Sequence, residues 1–281
     1  MSQTKVTTPG GVPVHLETAT KQELIAQYNS QADAIRSVNA GITMTLTAGS
    51  AYSGVIKQYH EVSGFILAAR PSHIRVIGQL PLVGTNIFDM ESDGETFGIF
   101  IPPQNKFITG PARLERPSAK PIENLRPQHL LDAIFWPAIR QDATVLIEEA
   151  IDGPGQYYVL TLLQAPARAE TTPAKAEGSA DWEIARKIWF DRTDLHIARV
   201  TTYDADGKVA SDMRYTQWDA SGTVKYAHRI VLARPENDYT LEIGITKVTF
   251  NEDIPNDRFV LKQPAGVEVI HMGADSAGAK P

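Results

Sequence analysis

The sequence predicts a mainly β chain of the α+β kind, with two helices and an antiparallel sheet that is strongly curved or partly closed. Three observations lead there. From Ser37 onward, apolar and polar residues alternate with a period of two along most of the chain. Turn signals rich in Asp and Gly interrupt this alternation at short, even spacing. Helical spacing of apolar residues is confined to one stretch near the start and one near the middle.

The opening stretch carries Pro9, Gly10, Gly11 and Pro13, and residues 1–19 read as a flexible lead-in. Thr20 and Glu23 then form a capping box, in which each side chain satisfies an orphan backbone donor. Leu24, Ile25, Tyr28, Ala32 and Ile35 follow as one apolar stripe, giving an amphipathic helix of about four turns. Strands are expected over Ile42–Leu46, over Val62–Ala69 until Pro71 blocks the ladder, and from His73 to Ile77. Ile87–Glu91 turns at Asp93-Gly94 into Phe97–Ile101, and Phe107–Thr109 closes the first meander.

Pro127 suits the first turn of a second helix, from His129 to about Ile139, which Pro137 should kink or end. Leu130, Leu131, Ile134, Phe135 and Trp136 make it more apolar than a surface helix requires, so it needs cover on most sides. A concave sheet with this helix laid into its mouth would supply that cover and enclose an apolar cavity. Strands resume at Val145–Ala150 and Tyr157–Leu163. Residues 164–181 are low in complexity and read as a mobile loop, with an interdomain linker as the rival reading. A second meander runs through Trp182–Phe190, Ile197–Tyr203, Val209–Trp218, Lys225–Ala233 and Tyr239–Asn251. The expected organisation is one domain over 20–270, with a flexible tail over 271–281.

Composition narrows the chemistry. The chain has no cysteine, which removes disulfides, thiolate nucleophiles and Cys-ligated metals. A net charge of −6 with scattered Lys and Arg makes nucleic acid a poor partner. The first 20 residues lack the apolar core of a signal peptide. His60-Glu61 begins like a zinc-protease helix, but Gly64 stands where the second histidine belongs. Ser53-Gly54 lacks the preceding glycine of a nucleophile elbow, since Ala51 is there. The seven histidines show no i, i+2 or i, i+4 pairing. Glu148-Glu149 and Asp191/Asp194 imitate an acid–base pair, although a solvated strand face and a turn are the plainer readings. Arg186, Arg192 and Arg199 either form an anion site or balance local carboxylates. The expectation is no catalysis, no cofactor and no metal. Leu80-Pro81-Leu82-Val83-Gly84 stands out, because apolar residues occupy what ought to be a polar turn. It is either a buried strand end with a bulge or a functional loop.

At these residues the chain resembles the LolA/LolB-like lipoprotein-carrier and sorting family. Arg70-Pro71 closing a strand, SDGETFGIFIPPQNKFITG from Ser92, and a tail with Phe259, Pro264, Gly266 and Val267 carry the likeness, which runs from Thr20 to Ile270 outside the insert. The resemblance implies a half-open antiparallel β-barrel, with the N-terminal helix and a lid helix over an apolar cavity for acyl chains of lipoproteins or lipids. Arg70 matches the arginine that closes the lid, and Leu131, Ile134, Phe135 and Trp136 fall in the lid and cavity. Leu80, Leu82 and Val83 match the protruding loop that inserts cargo into a membrane, with Val83 departing from the pattern. Implied partners are acyl lipids, a donor carrier protein and the membrane surface. The implied place is the periplasm or the periplasmic face of the outer membrane. A lipoprotein loses its signal at an N-terminal cysteine, so a cysteine-free body behind a flexible lead-in suits a chain whose anchor is absent here. The rivals are an enzyme acting on a hydrophobic substrate and an assembly module that binds a protein on its concave face.

Overall fold

The computed structural model describes residues 15–49, 56–112, 124–165 and 182–272. The expected lead-in up to residue 14, most of the insert and the tail from residue 273 lie outside these. Helix α1 spans Lys21–Ala34, and the Thr20–Glu23 capping box is formed at both of its hydrogen bonds. The strands are β1 (Ser37–Ala48), β2 (Lys57–Gln58), β3 (Val62–Ala69), β4 (His73–Gln79), β5 (Asn86–Ser92), β6 (Thr96–Ile101) and β7 (Lys106–Pro111). Helix α2 (Pro127–Ile134) precedes β8 (Thr144–Asp152), β9 (Gly155–Gln164), β10 (Glu183–Asp191), β11 (Ile197–Tyr203), β12 (Val209–Ser221), β13 (Val224–Arg234), β14 (Tyr239–Phe250) and β15 (Glu268–His271).

All fifteen strands among the described residues belong to one open sheet, ordered β15-β7-β6-β5-β4-β3-β1-β14-β13-β12-β11-β10-β9-β8, with β2 paired to β1 off this path. Neighbours are antiparallel except β15, which runs parallel to β7. The sheet does not close into a barrel, which is the half-open form expected. Strands β9 and β10, on either side of the low-complexity insert, pair directly with each other. One meander (β3 to β7) lies on one side of the central β1–β14 ladder, and the other (β8 to β13) lies on the opposite side.

This order dictates the course of the chain between the meanders. Strand β7 stands near one end of the sheet and β8 forms the other end, so the connection has to cross a face of the sheet. It does so with α2, which packs on β4, β5 and β13. The buried stripe of α2 (Leu130, Leu131 and Ala133) joins the core with Leu24, Tyr28 and Ala32 of α1 and with Ile42, Val76, Met90, Ile230 and Ile243 of the strands. Helix α2 starts at Pro127, whose missing N–H costs nothing in a first turn. It ends at Ile134, earlier than the expected Ile139. Trp136 precedes Pro137, and the proline ring disfavours helical geometry in the residue before it.

On the face away from the core, Arg75 of β4 pairs with Asp89 of β5 at 2.8 Å. The Arg75 guanidinium also donates to the carbonyls of Arg258 and Val260, fastening the C-terminal segment over this face. Glu91 lies nearby, and a Cβ on Gly98 would stand 3.1 Å from its carboxylate and 3.8 Å from Leu261. Burial and then the charge of Asp93 push the Glu91 carboxyl up to about 7, with Arg75 opposing and Asp89 adding to the rise. The folded protein therefore binds a proton here that the unfolded chain releases near its ordinary value of 4.5. Stability should fall as pH rises from about 4.5 to about 7 and then level off. Thermal melts of Glu91→Gln across this window should show a shallower fall than the parent; parallel curves would contradict the assignment.

Candidate functional site

Between the helices and the sheet lies an apolar cavity of about 50 Å³. Ile134 and Trp136 line it from the lid side, Ile35 from the end of α1, and Val38, Ile42, Ile66, Ile230 and Ile243 from the floor. Leu131 and Phe135 are buried beside it in the core and do not line it. The space is small. About 150 Å³ is what one benzene takes in an engineered protein cavity, and a water occupies about 30 Å³ of liquid.

Polar contacts fasten the lid to its frame. At the end of β3 the Arg70 guanidinium donates to Ile35 O at 3.0 Å and Ala32 O at 2.8 Å, and to Trp136 O on the lid at 3.1 Å. It also lies over the Phe135 ring, 4.9 Å from the centroid. Two of its three hydrogen bonds thus go to the orphan carbonyls at the end of α1, where a cation is electrostatically favoured. Helix α1 has no basic residue of its own in that turn. The third bond ties helix and lid together through one planar group.

A second fastening comes from the opposite meander. Arg186 of β10 donates to the Tyr28 hydroxyl at 2.7 Å and to Pro137 O at 3.1 Å. Tyr28 Oη in turn donates to Pro137 O at 3.2 Å, and its ring stacks on Trp136 with centroids 5.7 Å apart. Trp136 Nε1 donates to Tyr215 Oη at 2.8 Å, and Tyr215 Oη donates to Ala133 O at 3.0 Å. Burial pushes the Tyr28 phenol up to about 12 and raises that of Tyr215 further, so both remain donors at physiological pH. Asn29 adds a reciprocal pair with the backbone of Ile139, at 2.7 and 2.9 Å.

The other sequence candidates form separate ion pairs and do not converge on one site. Arg192 pairs with Glu149 at 2.9 Å, Lys187 with Glu148 at 3.3 Å, and Arg199 with Asp212. These are charges balanced along strands, as the plainer reading held. Arg186 departs from that reading through its contact with the lid, which its spacing in β10 gave no means of finding. Among the described residues no group of three or more His, Asp or Glu is arranged to hold a metal ion. No helix among them is long and apolar enough to cross a membrane. Residues 51–54 lie outside the described residues.

The Leu80–Gly84 segment is a turn between β4 and β5, closed by Leu80 N–H to Thr85 O at 2.9 Å and Gly84 N–H to Leu80 O at 3.1 Å. The buried alternative fails here. Leu82 is fully exposed, Val83 is 73% exposed and Leu80 45%. Leu82 also has φ of 68°, a left-handed conformation that costs a branched residue about 1 kcal/mol or more. A bulge does occur, but earlier, at Gly78/Gln79.

No family model matches this sequence, and no curated protein matches it significantly. Similar solved structures exist. A DUF1329 family protein from Desulfovibrio piger has a TM-score of 0.52 at 12% identity, with 85% of this chain and 95% of that chain covered. A LolA superfamily protein from Nitrosomonas europaea has a TM-score of 0.47 at 14% identity, covering 87% of this chain and 99% of that one. An outer membrane lipoprotein-sorting protein domain from Vibrio parahaemolyticus has a TM-score of 0.45 at 10% identity, covering 84% and 94%. The Desulfovibrio protein shares the fold, and at such identity the likeness extends to the fold alone.

Proposed function

We propose that this protein binds and transfers acyl chains of lipids or lipoproteins in the bacterial cell envelope, in the periplasm or on the periplasmic face of the outer membrane. The observation that carries this reading is an apolar cavity roofed by a helix that hydrogen bonds and ring stacking hold in place. The sequence resemblance to lipoprotein carriers agrees with it. Each methylene removed from water gains about 0.8 kcal/mol, so a chain of about 15 methylenes is worth about 12 kcal/mol. An apolar cavity makes transfer out of a bilayer nearly neutral, and small affinity differences between donor and acceptor then set the direction. No bond need form or break.

A chain of that length cannot occupy about 50 Å³. In this reading the described structure is the closed form, and loading lifts α2 and the segment to Ile139 from the floor. Arg70 is the lid-closing residue in this reading, because one guanidinium holds Trp136 O and the end of α1 together. Leu80, Leu82 and Val83 are the membrane-touching residues. A fully exposed leucine leaves its whole side chain in water and gains by entering an acyl phase.

Gently purified protein extracted for mass spectrometry should carry acyl lipid in stoichiometric amount, and Arg70→Leu should retain a smaller share through washing. Protein that is lipid-free and stays so when offered lipid would sink the reading. Leu82→Glu should cut delivery of bound lipid to liposomes by an order of magnitude, while the melting temperature and binding stay near those of the parent. A surface change of this kind shifts stability by only about 0.5 kcal/mol or less. Equal delivery by mutant and parent would make the loop structural only.

A further inference from the structure

The ladder between β13 and β14 stops early. It pairs Arg234 with Tyr239 at one end and Arg229 with Gly244 at the other, and goes no further. Both strands continue. Strand β13 stays with β12 down to Ser221↔Val224, whereas β14 follows β1 to Val38↔Phe250. Residues 224–228 and 245–250 therefore face each other as two strand ends, each paired on one side only.

Local backbone features accompany the parting. An extra residue, Thr246, bulges from β14 opposite Gly41/Ile42. The strands approach closely there: a Cβ on Gly41 would stand 2.9 Å from Thr246 Oγ1, and one on Gly244 would stand 2.7 Å from Thr43 Oγ1, so either would displace a threonine hydroxyl. On the other flap, Gln217 of β12 has φ of 58°. Across the gap, His228 Nδ1 meets Ile245 O at 3.0 Å, and the Tyr226 and Phe250 rings pack with centroids 5.5 Å apart.

This gap opens on the cavity. Lys225, Tyr226 and Ala227 of one flap, and Ile245 and Phe250 of the other, are all cavity-lining residues. Lys225 at this gap carries an exposed ammonium, and the cavity lining adds the Gln31 amide and the indole of Trp218, whose buried N–H has no hydrogen-bond partner among the described residues. The nearest carboxylate of the flap, Asp219, is engaged with His228 at 3.2 Å.

We propose that the gap between the unpaired ends of β13 and β14 is the portal through which a single acyl chain enters the cavity, with an anionic head held outside against Lys225. This rests on the acyl-binding reading and adds the entrance and the head-group class. Lifting the lid supplies volume, while the portal supplies the path. Strand ends without a mutual ladder part without breaking β-sheet hydrogen bonds between them, and an ammonium at the rim favours a carboxylate or phosphate head over a cationic one.

The test compares palmitate with hexadecyltrimethylammonium, two amphiphiles of equal chain length and opposite head charge. The parent should bind palmitate several-fold more tightly at low salt, and Lys225→Glu should abolish or invert that preference without lowering the melting temperature. Because the chain has no cysteine, a Tyr226→Cys/Phe250→Cys pair can be bridged by a short thiol-specific crosslinker at one place only. The bridged protein should exchange palmitate at least ten times more slowly than the same unbridged variant. Palmitate binding with no head preference in the parent, or exchange that bridging leaves unchanged, would overturn the portal while leaving acyl binding intact. Failure of the parent to bind either amphiphile would overturn both.

Discussion

The structure depends on one topological constraint: its two meanders are joined at the centre of the sheet but connected in sequence from end to end. Strands β1 and β14 lock the middle, while β7 and β8 lie toward opposite ends of the sheet. The chain between them has no short route, so it crosses the face that carries the core. An apolar helix is the economical way to cross, because it satisfies its own backbone while burying side chains on the sheet beneath. The lid follows from the strand order, and the cavity is the space that this crossing leaves unfilled.

Polar groups fasten the crossing and add directional contacts to its apolar packing. Arg70 from the first meander and Arg186 from the second reach the same short segment, Trp136-Pro137, from different strands. Each also grips α1, through the Ala32 and Ile35 carbonyls in one case and through Tyr28 in the other. Lid and first helix are therefore coupled, and moving one disturbs the partners of the other. In the proposed function this network is the catch that releases and re-engages as the roof opens.

Much of the fold was legible in the sequence, for identifiable reasons. The limits of β3 and β11 coincide with the expected ones, because Pro71 follows the first closely and the Asp204–Gly207 turn follows the second. The capping box marked the start of α1 to the residue. Strand β2 was not foreseen, as two residues carry no period, and β15 was not foreseen because its partner β7 lies far away in sequence. Trp182, expected as the first residue of its strand, precedes β10 and is half exposed, since pattern is weakest at a strand end. The site was legible only in part. Arg70 and the apolar helix stood out locally, whereas the contacts of Arg186, Tyr28 and Tyr215 exist only once distant strands meet. Cavity volume is a matter of packing, which no pattern of residues specifies.

In the proposed function α2 is a roof held in place by hydrogen bonds and displaced when an acyl chain is bound. Hydrogen exchange on the free protein and on the protein loaded with palmitate tests it most directly. Amides from Leu131 to Trp136 should exchange faster in the loaded form, while those of β1 between Ile42 and Leu46 keep their protection. Stoichiometric palmitate with unchanged protection across α2 would contradict it, since the chain would then occupy space that the closed structure does not contain.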